Sequence, residues 1–176
     1  MTSILKVDEI QNTDGQSALV ITPDGSVSGV KYPEAVAPVG RTITSTTMSS
    51  YEEGTWVPIV AGSTNVGTCT YLQQEGNYTK TGNLVTCNGY INLTAHTGTG
   101  DMVITGLPFT QNSFREILGT IMSYSLAYTK DQLALLGSKN SKQVRFYQFG
   151  PSTTWSTVPV DTDFHSFFNF TYFTDE

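Results

Sequence analysis

Charge is scarce in this chain. Only 14% of its 176 residues are charged, acidic residues outnumber basic ones fifteen to nine, and the formal net charge is −6. An acidic domain repels phosphate backbones, so nucleic acid is not an expected ligand. Histidine and cysteine are scarcer still, with two of each. His96 and His165 stand far apart in sequence, and Cys69 and Cys87 lack CxxC spacing. No metal-ligand pattern results, and no metal or other cofactor is expected. The two cysteines read as small packed thiols of a reducing compartment. Long apolar runs are missing as well. None approaches the ~18 residues of a membrane-spanning helix, so membrane insertion is not expected. The opening "MTSILKVDEIQNTDG" follows a short apolar patch with Asp8 and Glu9 and offers no small-residue cleavage site. It does not read as a signal peptide, and synthesis in a cytoplasm is expected.

Catalytic motifs are also lacking. There is no GxSxG, GxGxxG or GxxxxGK[ST] segment, so neither a nucleophilic triad nor nucleotide binding has a sequence basis. Glu52 and Glu53 in "SYEEGTWVPIV" are adjacent carboxylates. In an extended segment neighbouring side chains point to opposite faces, so the pair cannot easily converge on one substrate atom. It is read as the start of a folded domain, and no catalytic residue is assigned. "DTDFH" is the densest acidic cluster, but Asp161 and Asp163 fall short of the six to eight oxygens a calcium cage needs. It is read as a solvated turn. Sequons at Asn77, Asn92 and Asn169 would stay unmodified in a cytoplasmic product.

Threonine, serine, glycine and asparagine are plentiful, beside tyrosine, valine, isoleucine and phenylalanine. This composition favours strands and tight turns and implies an all-β protein. Aromatic residues are unevenly spread: of two Trp, nine Tyr and nine Phe, only Tyr32 falls within residues 1–50. Large rings dominate core burial, so the first 50 residues lack material for a core of their own. Residues 1–32 are read as a short β arm, with "SALVITPDGSVSGVKYP" as strand, Asp-Gly turn and strand. Such strands are marginal alone and need a neighbour. Residues 33–50 are read as a linker biased to turns by Pro33, Pro38 and Gly40.

Residues 51–176 are read as a head domain of eight to ten short strands, a β-sandwich of jelly-roll type. Trp56 is expected to be buried. Turns are expected at Gly76 and Gly82. Val85, Cys87, Gly89, Ile91 and Leu93 share one face of a period-2 pattern, and Leu84, Thr86, Asn88, Tyr90 and Asn92 the other. Met122, Tyr124, Leu126 and Tyr128 fall on one face of a further strand, and 129–137 is read as strand or loop rather than helix. The last strand carries Phe164, Phe168, Phe170 and Tyr172 on one face, and Phe167 and Phe173 on the other. A strand with one wet face alternates cleanly. This one does not, so its second face requires cover from another sheet or another subunit. Trp155, in the Pro- and Ser-rich "GPSTTWSTVP", and Tyr147 before it are candidates for a receptor platform, since loops on such scaffolds carry function.

Four stretches carry a resemblance. "ILKVDEIQNTDGQSALVI" resembles the opening segment of many bacteriophage tail fibre proteins. "YEEGTWVPIV", "YTKTGNLVTCNGYI" and "GTGDMVITGLPF" resemble, in order, the landmarks of a head domain found in such fibres. Val57 stands where threonine is more usual, and Asn83-Leu84 where a basic residue is often found. The resemblance covers residues 4–21 and 51–109. It implies a virion protein of the tail, a homotrimer. Its N-terminal arm would dock on a tail or adaptor protein through Ile4, Leu5, Val7 and Ile10. Its head would bind a host-surface receptor, a glycan or a protein. Phe167, Phe168, Phe170 and Phe173 are then expected at the subunit interface. Two other readings stay open: a purely structural tail or baseplate component, and a small glycan hydrolase, which needs two carboxyls across a cleft.

Overall fold

The computed structural model describes residues 9–11, 17–21, 27–28, 51–114 and 116–176. The chain divides into two compact units, Met1–Tyr51 and Glu52–Glu176. In the first, β1 (Glu9–Gln11), β2 (Ser17–Ile21) and β3 (Val27–Ser28) form an antiparallel sheet in that order. Ile10 lies in β1, opposite Leu19. Ile4, Leu5 and Val7, the Asp-Gly turn and the linker 33–50 lie outside the described residues.

Ten strands follow: β4 (Tyr51–Trp56), β5 (Ile59–Gly62), β6 (Cys69–Thr81), β7 (Leu84–His96), β8 (Met102–Thr105), β9 (Ile117–Tyr124), β10 (Gln132–Gly137), β11 (Gln143–Phe149), β12 (Ser156–Thr157) and β13 (Phe164–Phe173). They form one continuous sheet in the order β4-β6-β7-β13-β9-β10-β11-β8-β5, with β12 beside β11. The described residues contain no helix, and the fold is all-β. The sheet curls, so its two halves face each other across one core, a sandwich-like arrangement made from a single sheet.

Side chains bring the ends of the curl together. β5 is the last strand in the order, and no backbone ladder joins it to β6. The Val60 N–H donates to Tyr71 Oη at 2.8 Å. Cys69 Sγ donates to the Val60 carbonyl at 3.1 Å, and Gln74 Nε2 donates to the Pro58 carbonyl at 2.8 Å. Three β6 side chains thus occupy backbone groups that an open edge would offer to a foreign strand.

The core follows the period-2 pattern. Val85, Cys87, Ile91 and Leu93 of β7 face inward with Phe164, Phe168, Phe170 and Tyr172 of β13. Trp56 is buried, as expected, edge-on to Phe168 and Phe170 at 6.2 and 6.1 Å between ring centroids. Burying each such side chain is worth ~1.5–3 kcal/mol. Phe168 and Phe170, expected at a subunit interface, are 5% and 2% exposed. They belong to the head's own core, because β13 is central, hydrogen-bonded to β7 on one side and β9 on the other. Phe167 and Phe173 remain about half exposed on the opposite face.

Two further expectations change. Gly76 makes no turn; it lies inside β6. A Cβ there would meet Trp56 Nε1 at 2.6 Å and the Trp56 carbonyl oxygen at 2.7 Å, so glycine gives the tryptophan its seat. The turn is at Gly82 alone, whose φ of +60° suits the first central position of a two-residue hairpin loop. Met122 and Tyr124 share the outer face of β9, but Leu126 does not continue it. The strand ends at Tyr124, Ser125 takes a φ of +64°, and Leu126 turns inward to be buried.

Candidate functional site

The outer face of β6, β7, β13 and β9 carries the candidate site. Strand register sets its side chains in rows. Glu75 pairs with Tyr90, Tyr90 with Phe167, and Phe167 with Met122. One rung along, Asn77 pairs with Asn88, Asn88 with Asn169, and Asn169 with Thr120. Between these rows runs an open groove of about 540 Å³. Its two sides differ in chemistry. One holds the Tyr90 and Phe167 rings, stacked at 4.4 Å with 26° between their planes, and the Met122 thioether. The other is a line of carboxamides ending in a hydroxyl.

Hydrogen bonding within the face is partial. Thr120 Oγ1 donates to Asn169 Oδ1 at 2.8 Å, leaving the Asn169 amide hydrogens for other use. Tyr90 Oη lies 3.4 Å from His165 Nδ1. His165 stands edge-on to Tyr124, which is 71% exposed. The Asn77, Asn88 and Glu75 side chains make no hydrogen bond to described residues. Glu75 is the only acidic residue on the outer face of these four strands, and no lysine or arginine joins it there. Lys80 of β6 points inward, its ammonium 5.3 Å from the centre of the Phe109 ring.

Trp155 and Tyr147 occupy a neighbouring groove of about 300 Å³ over β9, β10 and β11. Trp155 is 65% exposed, its ring centroid 6.0 Å from that of Tyr147. The loop that bears it is braced by Gly150 N–H donating to Thr153 Oγ1 at 3.0 Å. Leu118, Ala134, Leu136, Phe149, Gly150 and Thr153 complete the lining, which is nearly all apolar. This groove offers few groups able to orient a polar ligand.

Two of the acidic candidates, Glu52 and Asp161, have structural partners. Glu52 accepts a hydrogen bond from Tyr78 Oη, joining β4 to β6 and holding the phenol above its ordinary pKa. Asp161 Oδ2 accepts from Ala127 N–H at 2.6 Å, and its Oδ1 from Thr162 N–H at 2.7 Å. Among the described residues no three His, Cys, Asp or Glu side chains gather. Burial pushes the Cys87 thiol up to about 12, and burial also drives the Tyr172 phenol upward. Both stay protonated at neutral pH, so Cys87 supplies no thiolate nucleophile.

No family model, curated protein or solved structure matches the chain. The two-rung groove is the feature that sequence reading missed. The signal for half of it was present, since Asn88 and Tyr90 share a face of β7. Their alignment with Glu75 follows from the β6–β7 hairpin, but that with Asn169 and Thr120 depends on a register between strands distant in sequence.

Proposed function

We propose that this chain is a short tail-fibre adhesin, a non-enzymatic binding protein of a phage virion. Its N-terminal arm docks on a tail or adaptor protein, and its head recognises a receptor, a glycan or protein, on the host surface. The observation that carries the reading is the outer face of β6, β7, β13 and β9. Rings, carboxamides and a thioether stand exposed there, and side chains of the head itself do not cover them. Exposed apolar side chains gathered on one face are a recognition feature rather than a folding one. The absence of lysine and arginine from this face agrees with a ligand other than nucleic acid.

The head works as a homotrimer in this reading, so that weak contacts add by avidity. Phe173 and its cross-strand neighbour Leu84, together with Leu118, supply apolar surface for the subunit contact. No helix among the described residues is long and apolar enough to cross a membrane. The test is capture of the full chain by intact host cells and, separately, by purified tails. Binding to both supports the adhesin. Binding to tails alone moves the assignment to a structural component.

A further inference from the structure

We propose that the groove between the two cross-strand rows is a binding site for a neutral saccharide. The inference rests on the receptor-binding reading and gives that reading a ligand class and a location. The groove's volume of about 540 Å³ lies within the ~300–1,000 Å³ usual for small-ligand sites. Its open form admits part of a longer chain.

Three properties of the lining select the ligand. The first is charge. Glu75 is the sole acidic residue that β6, β7, β13 and β9 place on this face, Glu53 of the adjoining β4 stands near Asn77, and these strands place no lysine or arginine there. A phosphate, sulfate, sialate or uronate would find no basic fork and would meet a carboxylate. His165, one row beyond Tyr90, is already engaged with Tyr90 and Tyr124. The second is hydrogen-bonding capacity. Among the described residues Asn77 and Asn88 each keep an amide donor and a carbonyl acceptor without a partner, and Asn169 keeps its amide hydrogens. Hydroxyl groups, which both donate and accept, fit that set. The third is the opposite wall. Tyr90 and Phe167 cover one ring face of each other by stacking, which leaves the edges and outer faces of the pair for C–H groups, and such contacts are individually weak but directional.

A pyranose carries both halves of this pattern, an apolar C–H face and a periphery of hydroxyls. The direction of the groove agrees with it. The carboxamides sit on successive strands and so repeat at the ~4.8 Å inter-strand spacing. That is close to the length one hexose contributes to an extended oligosaccharide. A sugar chain lying across the strands would meet one amide per residue. A second copy of this protein, packed flat, would instead seal Asn77, Asn88 and Glu75 from water without matching their partners.

The experiment titrates the full-length chain with neutral oligosaccharides of glucose, galactose, mannose and N-acetylglucosamine, and with sialylated and uronate-containing counterparts. Binding of at least one neutral sugar, and no tighter binding of its anionic counterpart, is expected. Asn88→Ala and Phe167→Ala should each weaken it at least tenfold. Phe167→Tyr should stay within about threefold and Thr79→Ala, further along the same face, within twofold, all four variants melting like the parent. Three results overturn the site: affinity unchanged in both alanine variants, preference for the anionic sugars, or a change in assembly mass by light scattering with Phe167→Ala. A chain that binds host cells but no neutral sugar overturns this inference and leaves the adhesin reading intact. A chain that binds neither overturns both.

Discussion

Both faces of β13 carry phenylalanine, and the two sets are placed in opposite surroundings. Inward, Phe168, Phe170 and Tyr172 are sealed in a core shared with Trp56. Outward, Phe167 and Phe173 remain about half exposed beside Asn169 and Thr171. The difference lies in what stands opposite. The curl of the sheet brings β4, β8 and β11 side chains over the inner face, and no other strand of the head packs over the outer one. A phenylalanine on this strand is therefore buried in the core or left half exposed according to its parity in the strand.

Substitutions at single positions separate the two. The largest effect is expected from Phe170→Asp, which places a carboxylate among Trp56, Phe168 and Tyr172. A buried unpaired charge costs more than ~4 kcal/mol, so circular dichroism should show loss of the cooperative thermal transition. Phe167→Asp on the outer face should melt within about 1 kcal/mol of the parent. If the two aspartates behave alike, the assignment of faces is wrong. Next comes Gly76→Ala. Its new methyl collides with Trp56, and overpacking of this kind costs ~1–3 kcal/mol, readable as a lower urea midpoint at constant slope.

Tyr71→Phe is smaller. It leaves the Val60 N–H without its partner at the seam between β5 and β6, at a cost of ~1 kcal/mol. Faster amide exchange at Val60 would mark the loosened seam. The smallest effect concerns alkaline pH. The Cys87 thiol rises from 9.0 to about 12 in the folded head. Below pH 9 both states hold the proton, and the group's contribution is complete. Above it the unfolded state releases the proton first, so stability falls between pH 9 and 12. Buried Tyr172 and Tyr71 act in the same sense. Cys87→Ala should flatten part of that decline in urea titrations at pH 8, 9 and 10.

Much of this architecture was legible in the sequence. The alternation in "LVTCNGYINL" matches the inward and outward residues of β7, because a strand half in water must alternate. Trp56 was identified as buried, and Phe164 through Tyr172 were divided by parity as the structure divides them. Gly76 was misread because glycine within a strand can mark either a turn or a close approach, and only the position of Trp56 distinguishes them. Phe168 and Phe170 were assigned to an interface because parity alone does not say which face the chain itself covers. The two-rung groove was illegible for a different reason. Asn77, Asn88 and Asn169 meet through pairings such as Asn169 with Asn88, set by tertiary register.

The proposal requires that the part of the outer face around Tyr90 and Phe167 serves recognition and contributes little to folding, while Phe173, Leu84 and Leu118 further along the same face serve the subunit contact. The most direct test compares Phe167→Ala with Phe168→Ala, neighbours on one strand, in both thermal stability and capture by host cells. Phe167→Ala should abolish capture while melting within about 1 kcal/mol of the parent; Phe168→Ala should lose ~3–5 kcal/mol. A Phe167→Ala protein destabilised as much as Phe168→Ala, with capture intact in the folded fraction, would contradict the account.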